Sequence, residues 1–181
     1  GATRVARLAE SVAILKALLA GQRPSSDGSH YRSAEAEVSP LPAQHPRVPI
    51  LVAGNGRQML RLAAREADII ALGVPPHATE EVAAERISWI RDDAGDRFTD
   101  IELNINLMAV ADQVPRWIAS QMGMTAKDFA DRGSVAAVTG TTDEMCAQLI
   151  GRRDRLGISY VLVSDELMEP FAPVVERLSG Y

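Results

Sequence analysis

The sequence predicts a parallel α/β fold, and two observations carry that reading. Short apolar runs alternate with amphipathic helical stretches along nearly the whole chain. The run ending at Gly54 is followed by a turn, a helix and a second apolar run ending at Gly73. Strand, tight turn, helix, strand is the unit that builds parallel sheets with right-handed crossovers.

Taken in order, Val5, Leu8, Val12, Leu15 and Leu19 recur at spacings of three and four and predict a helix from Thr3 to Ala20, stopped by Gly21. Residues 22–47 form a long connection rich in Pro, Ser, Gly and His, of the length that is usually functional or mobile. Val48 to Ala53 is a continuous apolar strand. Gly56 to Glu66 is a helix with Met59, Leu60, Leu62 and Ala63 inward, and Ala67 to Leu72 is the next strand. A helix from Thr79 or Glu80 to Asp93 turns Val82, Ile87 and Ile90 inward. Ile101 to Val110 alternates and then becomes fully apolar, as a buried strand with one polar-sided end does.

Residues 113–132 read as two short helices broken near Gly123, the second opened by a capping box from Thr125 to Asp128. Ser134 to Val138 is short and apolar. Thr142 or Asp143 caps a helix ending at Gly157, Ile158 to Val163 is a strand, and Phe171 to Leu178 is the closing helix, with Pro170 and Pro173 near its start. Four strong parallel strands fit two architectures: an open doubly wound domain, or half of an eight-stranded barrel, which needs about 250 residues.

Composition excludes several functions. A net charge of −5 without any Lys/Arg cluster argues against nucleic acid. Every apolar stretch is far short of the roughly 20 residues of a membrane span. Cys146 is the single cysteine, so neither an intrachain disulfide nor a cysteine metal site is expected. It reads as a half-buried helix residue, and a cytoplasmic location fits. The three histidines lack metal-ligand spacing, so no metal is expected.

The chemistry-bearing candidates follow the strands. Gly54, Asn55 and Gly56 put backbone N–H groups at a helix N-terminus, where a phosphate can sit, and Arg57 can add a charged contact. The same residues also make a plain strand-to-helix turn in which glycine supplies positive φ. His77 and Thr79 lie in the loop after the second strong strand, as ligand contacts or as a solvent-facing histidine and a helix cap. Asn104 and Asn106 share a strand face and can hydrogen-bond a ligand or each find protein partners. Asp165, after the last strand, is a substrate contact or a cap. His30 and Tyr31 lie in the long loop, which can fold over a cofactor as a lid. Trp89 and Trp117 read as helix residues packing outward or at a subunit contact, rather than as stacking platforms for a cofactor.

Several segments together resemble the luciferase-like monooxygenase superfamily. They are the opening helix through Leu19-Ala20-Gly21, the loop Asp27 to Tyr31, the stretch Arg47 to Asp68 around Gly54-Asn55-Gly56, Gly140-Thr141-Thr142-Asp143-Glu144, the strand Gly157 to Val163 and the helix from Phe171 to Val175. Thr142 stands where that superfamily usually has proline. The order and spacing of these segments, rather than any one, carry the resemblance from Leu8 to Leu178.

The resemblance implies the C-terminal half of a (β/α)8 TIM barrel, a single domain over residues 1–181 with four to five parallel strands and flanking helices. The N-terminal half, strands one to four, is then absent from this chain, and the catalytic residues are expected on it. It implies an oxidoreductase that binds coenzyme F420, or alternatively FMN, with the phosphate at Gly54, Asn55, Gly56 and Arg57. The small-molecule substrate would lie near His77, Thr79, Asn106 and Asp165. F420 implies hydride transfer to or from a small organic substrate; reduced FMN implies monooxygenation. A half-barrel alone exposes two strand edges and inward-facing apolar side chains. It therefore needs the missing half, a second chain or a homo-oligomer. A non-catalytic ligand-binding or assembly half-barrel is the rival reading.

Overall fold

The computed structural model describes residues 1–45 and 47–180. Helix α1 (Ala2–Leu19) leads into the long connection, which holds a small antiparallel pair, β1 (Ser26–Asp27) and β2 (Arg32–Ser33). Glu10 of α1 ties this pair down, since its Oε2 accepts from the amides of His30 (2.9 Å) and Tyr31 (3.0 Å). The unit read most directly from sequence follows: β3 (Leu51–Gly54), α2 (Arg57–Glu66), β4 (Ile69–Leu72), α3 (Glu80–Ala94) and β5 (Glu102–Asn106). After these come β6 (Ala109–Val110), α4 (Arg116–Met122), α5 (Ala126–Asp131), β7 (Ala137–Val138), α6 (Thr142–Leu156), β8 (Ile158–Leu162) and α7 (Met168–Leu178).

The main sheet is parallel with the order β3-β4-β5-β8. Strand order follows chain order, so the crossovers never reverse direction as they do at the switch point of a doubly wound sheet. The helices accordingly cover one face. Val52, Ile70, Leu103 and Ile105 point into a core with Leu60, Ala63, Ala83 and Ile87 from α2 and α3. Residues of the opposite set share rungs on the other face, which is open at its edge strands and buried at Ala71 and Asn104: Leu51 with Ile69, Ala53 with Ala71 and Asn104, Asn106 with Leu162. There Leu51 and Leu162 are 41% and 36% exposed, as expected of a barrel half with its inner face open.

Four differences from the sequence reading have physical causes. The apolar run to Val110 is split. Leu107 N still donates to Leu162 O, but Met108 N donates to Ala136 O, and β6 leaves the main sheet to pair with β7. Strand β3 starts at Leu51: the Ile69 amide on Ile50 O is the first ladder bond, and the Ile50 amide is taken by the Asp68 carboxylate. The cap of α6 is Thr141, whose hydroxyl and Glu144 close a capping box. A 3-10 turn over Asp165–Leu167 runs into α7, which therefore starts at Met168 rather than Phe171. The break at Gly123, in the left-handed region at φ 62°, and the Thr125 to Asp128 capping box are as read from sequence. Cys146 is buried rather than half-buried.

Asp68 anchors the start of β3. Its carboxylate takes Arg47 Nη1 at 2.6 Å and Nη2 at 3.0 Å, and the Ile50 amide at 2.7 Å. Burial alone would raise this carboxyl. The Arg47 and Ile50 hydrogen bonds, with the charges of Arg47 and Lys16, outweigh it and hold the group below the ordinary aspartate value. A depressed native value gives stabilisation that is present above the unfolded value, about 3.9, and lost as pH falls through the native one. Asp68→Asn should therefore cost about 2 kcal/mol near neutrality, roughly 4–8 °C in midpoint. In thermal melts the two proteins should converge as the pH is lowered past that range.

Candidate functional site

All strands of the main sheet run the same way, so every candidate loop emerges at one end. Gly54 to Arg57 follows β3, the 73–79 loop follows β4, Asn106 ends β5, and Asp165 follows β8. The first two loops are stitched together: Gly73 N donates to Gly54 O at 2.9 Å. A side chain at Gly73 would press on Gly54 C and O at 3.3 Å, which is the packing reason for glycine there.

The two glycines of the turn differ. A Cβ on Gly54 would run into Met59 Cγ, so Gly54 is required by internal packing. Gly56 is exposed, has φ −80° and ψ 147°, and would place a Cβ with nothing within 4 Å. Neither is among the glycines at positive φ, so the plain-turn explanation does not account for Gly56. What its missing side chain leaves is open space in front of α2. Among the described residues the N-cap of α2 gives no side-chain cap bond, unlike those of α5 and α6 with their capping boxes, which leaves its first-turn amides available. Open space, uncapped amides and the positive end of a 10-residue helix suit a phosphate.

Arg57 is engaged elsewhere. Its Nη1 lies 3.1 Å from Asp93 Oδ2, and its guanidinium carbon is 5.5 Å from the centre of the Trp89 ring. Asn55 is held from α3: its Oδ1 accepts from Arg86 Nε at 3.0 Å, and Arg86 stacks on the same Trp89 ring at 4.1 Å. Trp89 is thus a platform under two guanidiniums rather than an outward-packing residue. Trp117 is 44% exposed, as its reading implied.

The other candidates are distributed around this end. His77 is exposed, on a loop fixed by Ser134 Oγ donating to Pro76 O (2.6 Å) and Val135 N to Ala78 O (2.8 Å). Thr79 is the N-cap residue of α3, without a side-chain cap bond. Next to it, Glu80 accepts from Arg152 Nε at 3.1 Å and Arg155 Nη2 at 2.7 Å. Burial would raise the Glu80 carboxyl, but the two guanidiniums outweigh it and hold it below its ordinary value. Asn106 is exposed and Asn104 fully buried, although they share a face. Asn104 Nδ2 donates to Tyr160 O at 3.2 Å, and its Oδ1 has no partner among the described residues. Asp165 is exposed and opens the 3-10 turn. The structure places these side chains at one end of the sheet, on the open face or in the loops above it. Among the described residues, no group of three or more His, Cys, Asp or Glu is placed to hold a metal ion. Likewise, no described helix is long and apolar enough to cross a membrane.

Arg86, Trp89 and Asp93 were missed at the level of sequence. Their contacts with the turn depend on how α2 packs on α3, which no spacing along α3 announces. The i, i+3 placement of Arg86 and Trp89 was the one local signal.

A family model for luciferase-like monooxygenases matches residues 2–116, well over half of the chain. The chain belongs to the luciferase-like monooxygenase family. Within it, an F420-dependent glucose-6-phosphate dehydrogenase of Beutenbergia cavernae is 38% identical over 68 residues, 38% of this chain and 20% of that protein. Among solved structures, the coenzyme F420-dependent tetrahydromethanopterin reductase of Methanopyrus kandleri superposes with a TM-score of 0.70 at 14% identity, covering 94% of this chain and 61% of that one. EDTA monooxygenase from Chelativorans sp. BNC1 gives 0.69 at 15%, covering 97% and 59%. At such identities these two likenesses establish the fold. The chain spans about three-fifths of each solved relative, so the luciferase-like barrel is represented here in part. Family members of both cofactor types, F420 and flavin, surround it.

Proposed function

We propose that this chain is the C-terminal half of a luciferase-like oxidoreductase barrel that holds the phosphate of F420, or alternatively FMN, at Gly54, Asn55 and Gly56. The observation that supports this most is Gly56: an exposed glycine with ordinary dihedrals and open space, in front of an uncapped helix. F420 is preferred because the curated relatives with local identity of 38% are F420-dependent dehydrogenases.

When bound, the ring supplies the redox chemistry, hydride transfer for F420 or oxygen activation for reduced FMN. This chain's part is to bind and orient. The amides of Asn55, Gly56 and Arg57 fix the anionic tail, with Arg57 recruited from Asp93 when the tail arrives. His77, Thr79, Asn106 and Asp165 face the substrate side. The open sheet face excludes water once the other barrel half, or a second copy, covers Leu51 and Leu162. Groups that move protons at the ring are assigned to that other half, and the expected partner is a small organic molecule.

The test is a titration of the full-length gene product with F420, with FMN and with riboflavin. The phosphate-bearing forms should bind, F420 most tightly, and riboflavin at least about tenfold more weakly than FMN, the worth of one charged hydrogen bond. Binding of neither cofactor removes the proposal. The chain of residues 1–181 alone should associate in light scattering, and a monodisperse monomer would contradict the half-barrel.

A further inference from the structure

Asn55 sits in the middle of the proposed phosphate turn, yet its side chain faces away from that role. Its Oδ1 accepts a 3.0 Å hydrogen bond from Arg86 Nε, 31 residues later on α3. Arg86 is itself fixed three ways: by Asn55, by Glu85 Oε2 at 2.6 Å from Nη1, and by the face of Trp89. Its side chain is only 20% exposed. The same indole lies beneath Arg57, whose Nη1 is 3.1 Å from Asp93, and Arg61 Nε also reaches Asp93 at 3.2 Å. These groups tie α2, α3 and the turn into one array.

The turn needs such an array. Gly56 O is held by Leu60 N at 3.0 Å, but a side chain at Gly56 would meet nothing within 4 Å, so no side-chain packing steadies its amide end. An anion site made from amides is strong only when those amides already point at the ligand; ordering a free glycine on binding costs affinity. Internal packing fixes Gly54 through Met59, and Gly54 O is fixed by Gly73 N. Between these two held carbonyls, the hydrogen bond from Arg86 to the Asn55 side chain is what ties the Asn55–Gly56 peptide to α3 among the described residues.

We infer that Arg86, seated on Trp89, is a positioning residue: it latches Asn55 and so pre-orients the Asn55–Gly56 amides for the anionic tail. This rests on the phosphate reading given above. Arg86 acts through Asn55, and the anion is met by main chain.

The test compares FMN with riboflavin, and F420 with its phosphate-free ring, on full-length protein carrying Asn55→Ala, Arg86→Gln, Arg86→Lys or both Asn55→Ala and Arg86→Gln. Each single loss should weaken the phosphate-bearing ligand about tenfold and leave the phosphate-free ring unchanged. The double variant should be no weaker than the weaker single, because both break one latch. Arg86→Lys should restore part of the affinity, since lysine keeps the donor and loses the planar stack. Asn55→Ala, which keeps every charge, separates latching from simple attraction, and it serves alone if Arg86→Gln does not fold. Unchanged FMN and F420 affinity in Asn55→Ala, equal losses for the phosphate-free ring, or additive losses would overturn the latch while the phosphate site stands. A wild type that does not distinguish phosphate-bearing from phosphate-free ligand would overturn both.

Discussion

Gly56→Asp should leave the protein as stable as the parent, or a few tenths of a kcal/mol more stable, while weakening phosphate-bearing cofactor by about thirtyfold. The opposite signs come from one position. Gly56 is the N-cap residue of α2, with extended dihedrals and free space, so an aspartate fits without strain. Asp is among the best N-cap residues, and its carboxylate would accept from the second or third amide of the helix. Those are the donors the phosphate needs, and the new charge repels it. Two like charges about 5 Å apart in a partly exposed site cost about 2 kcal/mol, hence the thirtyfold. Calorimetry of FMN and F420 binding beside thermal melts reads both arms. Retained affinity in a folded variant would move the phosphate away from this turn.

Leu60→Ala carries the largest expected loss of stability. Leu60 is 0% exposed and packs among Val52, Ile70 and Leu72, where α2 meets the covered face of the sheet. Removing three buried carbons there costs about 3 kcal/mol, because a close-packed core collapses only in part into the cavity left behind. That is roughly 6–12 °C for a chain of this size. Leu60→Met conserves volume and should lose less than about 1.5 kcal/mol. Urea melts separate the two. If Leu60→Ala melts with the parent, α2 is not held by this contact.

The sheet and its helices were legible because each element carries its own period. Apolar residues three and four apart on α1, and apolar runs at β3 and β4, needed no tertiary information. Where the reading slipped, a partner elsewhere in the chain made the decision. Nothing between Ile101 and Val110 reveals that Met108 will donate to Ala136 instead of continuing the ladder with β8. Thr141 and Thr142 are chemically alike, and only the distance to Glu144 selects the cap.

The candidate site divides in the same way. The Gly54-Asn55-Gly56 turn was visible, but sequence treats its two glycines as equal. The structure gives them different causes, Met59 beneath one and open space at the other. Arg57 looked like a free ligand for the phosphate and is found against Asp93. Asn104 and Asn106 were paired by their period. Burial separates them, because the face they share is covered at one rung and open at the next. Arg86 was invisible, since its bond to Asn55 spans 31 residues and two helices.

The clamp on Glu80 bears on how the chain is made. Its two guanidiniums lie 72 and 75 residues downstream. On the ribosome, β3, β4 and β5 emerge with their helices while that carboxylate still waits for countercharge. Synthesis at about 5–20 residues per second imposes a delay of several seconds before Arg152 appears. Until then the N-terminal end of α3 carries a carboxylate without its two guanidinium partners. Arg152 and Arg155 both lie on α6, so synthesis of that one helix supplies the whole clamp.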